Sequence, residues 1–253
     1  MRRVTTVLIA AVALLGVAAA GLLVAGCGSS GSGSVPSDAV ATVGTTTVTK
    51  ADFDQLLSQA KTQMKAQGMT VPAEGSATYD HYVAQIVSYL VQEQVVAQSA
   101  KDLGVSVTDK EVTTQIAQIE KANGGEKKVL ALLKQQGMTM ELLKRSILSQ
   151  MLSQRAAAKV TTKAAVTDAE VQAYWNAHKT EYLKTKATST FAKAKATIQQ
   201  TLLGAKKQQL WNTWITAREK TLKVVYAAGY DPTKLLASAS AAATASASPT
   251  TGG

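Results

Sequence analysis

The sequence predicts a mainly α-helical domain with a small two-stranded β element formed by strands near its two ends. Helical periodicity, with start and stop signals, recurs from Thr49 to Lys223. Short Val-rich segments lie just before and just after that region, and low-complexity stretches flank it on both sides.

The elements follow in order. "AVATVGTTTVT", Ala39 to Thr49, is rich in Val and Thr and reads as a strand or hairpin turning at Gly44. Thr49 precedes Asp52, a helix start with an acidic first turn, and "KADFDQLLSQAKTQMKAQ" continues until Gly68 stops it. A loop with Pro72 and Gly75 leads into the longest apolar helix, Tyr79 to Leu103, which Gly104 ends. Thr108 and Glu111 have capping-box spacing, and their helix closes at Asn123-Gly124-Gly125. "EKKVLALLKQQG" is a short helix ended by Gly137. The next helix starts at Thr139 and carries Leu142, Leu143, Ile147, Leu148, Met151 and Leu152 on a broad apolar stripe.

Thr167 and Glu170 repeat the capping-box spacing in "VTDAEVQAYWNAHKTEY". Phe191 to Lys223 reads as one long helix. Ile198, Leu202-Leu203, Leu210-Trp211, Trp214-Ile215 and Leu222 give it more than one apolar stripe, so contacts on several sides are expected. "KVVYAAGYDP" then carries the closing strand signal, and a two-stranded ribbon of this kind needs helices around it to persist.

The flanks set the domain boundaries. Met1-Arg2-Arg3 is a positive n-region, and Val4 to Ala20 is apolar apart from Thr5, Thr6 and Gly16. The run ends in Val24-Ala25-Gly26-Cys27, which resembles a bacterial lipobox, and the sole cysteine of the chain falls at the position that motif lipidates. The expected organisation is a lipoprotein signal peptide at 1–26, a flexible spacer at 27–38 and a helical domain at 39–236. A disordered Ser/Ala/Thr tail is expected at 237–253. With Cys27 acylated no thiol remains for disulfides, so stability must come from a packed core. The expected location is the extracytoplasmic face of a bacterial cell membrane, held by the lipid anchor.

The formal charge is +10, and removing Arg2 and Arg3 leaves about +8. The cations are spread along helices (Lys61, Lys65, Lys101, Lys110, Lys121) and not interleaved with aromatics, which reads as solvated helix faces and gives no nucleic-acid partner. The chain has no Gly-x-Ser-x-Gly, Walker, His-Glu-x-x-His or Cys-x-x-Cys pattern. His81 and His178 lack partners at metal-ligand spacing, and Asp52, Asp54, Asp168 and Glu170 sit at helix starts, where the macrodipole favours carboxylates. No catalytic residue, metal or cofactor is expected. Met64, Met69, Met138, Met140, Met151 and the Tyr174-Trp175 pair suit adaptable binding of varied chains, but the favoured reading of each is structural, with Met151 and Trp175 in the core and Met69 and Met140 capping loops.

Four segments in succession carry a family resemblance. "VATVGTTTVTKADFDQLL" follows the lipobox and spacer. "LVQEQVVAQSAKDLGVSVTDKEV" is a helix ending in Ala-x-x-x-Gly and then Val-Thr-Asp. "VTDAEVQAYWNAHKTEY" and "KKQQLWNTWITAREKTLKVVYAAGYDP" come after it. Their order resembles the PrsA/SurA group of extracytoplasmic folding factors, over about 190 residues from Ala39 to Pro232. The family places a parvulin-type prolyl isomerase between the last two segments. Here only Leu183 to Thr190 separates Tyr182 from Phe191, eight residues where an independent domain needs at least ~50.

The resemblance therefore implies a helical SurA N-like chaperone domain without the parvulin module. It would hold unfolded or newly exported polypeptides, without cofactor or ATP and without isomerase activity. The alternative is a structural or adaptor lipoprotein for one specific envelope partner. A homodimer with swapped terminal strands is compatible with either reading. The residues that would contact a client are not legible.

Overall fold

The computed structural model describes residues 35–184 and 189–246, with side chains as far as Ser240. The order is β1 (Ala39–Val43), β2 (Thr46–Thr49), α1 (Lys50–Ala66), α2 (Ala77–Leu103), α3 (Asp109–Asn123), α4 (Glu126–Gln135), α5 (Met140–Val160), α6 (Asp168–Tyr182), α7 (Phe191–Thr221), β3 (Val225–Tyr226) and α8 (Pro232–Ser246). The helical class and the terminal β element are as expected. Two compact units result. The first takes the described residues up to Ser153 together with those from Glu219 onward, and the second is Gln154–Arg218.

Local chemistry sets most boundaries of the first unit. β1 and β2 form a hairpin in which Val43 faces Thr46. Gly44 enters the turn at a φ of +58°, a conformation in which an L side chain is strained, and a Cβ there would come within 3.2 Å of Gln98. The Thr49 hydroxyl accepts from the Asp52 amide and starts α1, and Ser76 starts α2 in the same way. Gly104 ends α2 in the left-handed conformation. Thr108 and Glu111 form the expected capping box.

The β element has three strands in the order β2-β1-β3, one more than expected. The N-terminal segment is a full hairpin, and β3 adds antiparallel to its free edge through Ala41 opposite Tyr226 and Thr42 opposite Val225. The amide of Ala227 donates to the Val40 carbonyl at 2.9 Å, and that of Gly44 to the Leu222 carbonyl at 2.6 Å. Val40, Ala41 and Val43 are fully buried beneath. The Phe53 ring meets Tyr230 edge-on at 5.2 Å. The segment after α7 thus completes the sheet that the first residues begin.

α2 is the central helix of this unit. Its buried residues, Val83, Ala84, Ile86, Val87, Leu90, Val91, Val95, Val96, Ser99 and Ala100, lie on more than one face, while His81, Ser88 and Ala97 stay exposed. α1, β1, β2 and α8 pack against it. A second cluster joins α3, α4 and the start of α5, with Val129, Leu133, Leu143 and Ile147 at its centre.

Two expectations are corrected here. The tail from Ala237 is not structureless: α8 continues to Ser246, and residues 247–253 lie outside the described residues. Asp231 is its N-cap, accepting from the Thr233 amide at 3.0 Å, and Pro232 follows at the first helical position. Alanine is the strongest helix former, so a run poor in large apolar residues propagates once started. The long helix α7 is also less enclosed than its stripes suggest. Ala194, Ile198 and Ile215 are buried, while Leu210 is 40% exposed.

In the second unit α6 and α7 pack through Val171, Ala194 and Ile198. Trp175 lies 5.8 Å from Tyr182 and 5.9 Å from Phe191, so aromatic rings close the hairpin beside the short junction. Residues 185–188 of that junction lie outside the described residues.

Candidate functional site

The residues with a sequence-level case for chemistry are dispersed. Cys27 and its Val24-Ala25-Gly26 motif lie outside the described residues. His81 is exposed and bonded to Gln85 at 2.9 Å. His178 stacks on Tyr174 at 4.1 Å, in the other unit, and its Nδ1 lies 3.0 Å from the Tyr174 carbonyl. Among the described residues no group of three His, Cys, Asp or Glu is placed to hold a metal ion. No described helix is long and apolar enough to cross a membrane.

The helix-start carboxylates do structural work. Glu170 caps α6 by accepting from the Thr167 amide at 2.9 Å, and Lys206 of α7 binds it at 2.7 Å. Lys206 also donates to the Ala165 carbonyl, and Lys195 pairs with Asp168 at 3.0 Å. The Lys206 ammonium, with the Thr167 amide and hydroxyl, holds the Glu170 carboxyl down at about 2, against an ordinary 4.5. Folding therefore favours the ionised form. This stabilisation is full above pH 4.5 and is lost as pH falls towards 2. Replacing Lys206 by Met is expected to return the Glu170 midpoint towards 4.5, read by NMR titration of the carboxyl.

Asp52 belongs to a cluster the sequence does not reveal. Arg145 of α5 bonds Asp52 of α1 and, at 3.1 Å, Glu93 of α2, so one guanidinium ties three helices. Burial pushes the Asp52 carboxyl up, but the Thr49 hydroxyl and Arg145 outweigh it and hold it below its ordinary value of 3.8. Burial likewise raises the Tyr89 phenol beside this cluster, and Glu93 adds to the effect. A cavity of about 20 Å³ opens here, lined by Gln55, Leu56, Tyr89, Leu90, Leu142 and Ser146. That is room for a single water-sized group and too little for a peptide side chain.

The cluster therefore acts as a brace. Arg145→Met leaves two carboxylates facing each other without their cation and is expected to cost on the order of 2 kcal/mol, reduced from the fully buried case by partial exposure. The double variant with Asp52→Asn should recover part of that loss, and a urea-unfolding double-mutant cycle measures the coupling.

The methionines are mostly packed. Met64 and Met138 are buried, Met140 and Met151 pack on the α3–α5 cluster, and Met69 is 48% exposed. Tyr174 and Trp175 pack against the α6–α7 core.

A model of the SurA-like N-terminal domain matches residues 1–157. The foldase protein PrsA of Clostridium kluyveri is 31% identical over 158 residues, covering 56% of this chain and 46% of that protein. The PrsA foldase of Clostridium botulinum strain Hall is 26% identical over 203 residues, 76% of this chain and 58% of that protein. That of Clostridium acetobutylicum is 24% identical over 152 residues. The chain spans about half the length of the curated relatives it matches. No solved structure matches at a comparable level. The matched residues include the Val-rich hairpin, the capped α1, the long α2 and the boxed α3, and the chain belongs to the SurA-like N-terminal domain family.

Proposed function

We propose that this protein is a chaperone of the extracytoplasmic space, tethered to the membrane through a lipidated Cys27, that holds unfolded or newly exported polypeptides without isomerising prolines. The observation that carries the reading is the pairing of β3 with β1. It supports a binding unit assembled from both ends of the chain across a short α6–α7 junction. The foldase relatives support a role in protein folding. The eight residues between Tyr182 and Phe191 are far too few for a catalytic insert at that point. Binding would rest on apolar contact and need neither metal nor nucleotide.

The test is aggregation of several unrelated denatured proteins, run beside a pull-down. A holdase slows all of them at near-stoichiometric amounts. An adaptor for one envelope partner leaves aggregation unchanged and retains a single protein. For the tether, Cys27→Ser is expected to move the protein from the membrane to the soluble fraction of exporting cells.

A further inference from the structure

We infer that α8 is a displaceable plug: it covers a strip of α2 that takes an uncharged, apolar helical segment of a client polypeptide. The inference rests on the polypeptide-binding reading and names the surface that would serve it. Three observations lead to it.

α8 lies along α2 so closely that many Cα–Cα separations fall within 8 Å. Such an approach needs small residues at the contact, and α8 supplies Ala and Ser through most of its length. α2, in turn, buries apolar residues on more than one face, and α8 is one of the elements that cover them.

Beyond the buried Pro232, the described side chains of α8 are lightly held for such a position. Leu235 and Ala239 are only half-buried and Leu236 is 40% exposed. The cap that starts the helix is local, running from Asp231 to Thr233, and Ser238 bonds the Leu235 carbonyl of its own helix. The last fixed points before it are the β3 pairing and the Phe53–Tyr230 ring contact. A helix that lies beyond those anchors can leave without opening the sheet.

The composition of α8 states what the strip accepts. Lys234, at the start, is its one charged residue, and after Pro232 the rest is Leu, Ala, Ser and Thr. A short helix of small and aliphatic residues, with Ala or Ser at the contact, fits the same strip.

The experiment uses the full chain with Ala239→Pro, which breaks α8 while keeping β3, beside a variant ending at Tyr230. A fluorescent, reduced and carboxymethylated polypeptide serves as the unfolded probe, and a synthetic peptide of residues 232–246 serves as the plug. If the strip is open about a tenth of the time, unseating α8 lowers the apparent Kd for the probe roughly tenfold. The peptide should bind the variant ending at Tyr230 and compete with the probe, while far-UV circular dichroism retains the remaining helix. Folded variants that bind probe no more tightly and ignore the peptide overturn the inference and leave the chaperone reading standing. Peptide binding without probe binding to any form overturns the chaperone reading, and with it the client named here. Collapse of the first unit on Ala239→Pro makes α8 structural, and self-association of the variants makes the strip a dimer contact. Either result overturns the plug.

Discussion

Ending the chain at Lys223, ahead of β3, is expected to unfold the first unit at room temperature. The deletion removes the strand that pairs with Ala41 and Thr42, the 2.9 Å bond from Ala227 to Val40, and the Tyr230 ring against Phe53. Each backbone bond is worth about 1 kcal/mol net, and each tyrosine buries about 2 kcal/mol of apolar surface. The sum, roughly 5 kcal/mol or more, is comparable to the whole stability of a small domain. Loss of the cooperative urea transition, followed by circular dichroism, is the readout. The chain ending at Tyr230 keeps all of these contacts and should keep the transition, so the essential boundary falls between residues 223 and 230.

Leu143→Ala should be the most damaging single substitution in the α3–α5 cluster. Leu143 is fully buried, with Leu133, Val129 and Ile147 also buried in the same cluster. Emptying that site loses the transfer energy of the side chain and leaves a cavity, about 3 kcal/mol together. Leu148 is on the same helix but 40% exposed, and its replacement by Ala should cost under about 0.5 kcal/mol. Equal losses at the two positions, in urea titrations of both variants, would mean that the cluster is not the core of this region.

What was legible in the sequence is what local chemistry specifies. Thr108 with Glu111 and Thr167 with Glu170 encode their capping boxes within four residues, and Gly44, Gly104 and Gly124 mark turns that need a positive φ. The brace at Arg145 was not legible, because its partners lie 93 and 52 residues away and nothing at Arg145 itself announces them. α8 was misjudged for a different reason. Its composition is that of a disordered tail, yet Asp231-Pro232 is a helix-start signal that could have found it. α7 shows the limit of counting stripes, since apolar residues such as Leu210 remain on the surface where no element covers them. For the client surface, sequence offered methionines and an aromatic pair, of which Met64 and Met138 are buried and Met140, Met151, Tyr174 and Trp175 are partly buried against the packed clusters.

One measurement separates binding from catalysis: the refolding of a protein limited by a native cis-proline, followed in the presence of this chain. Proline isomerisation sets a slow phase of about 10–100 s at room temperature. The account predicts a higher refolded yield, with less aggregate, and an unchanged slow rate constant at every concentration of the chain. A slow phase that quickens in proportion to the chain added, or a yield that does not move, would contradict it.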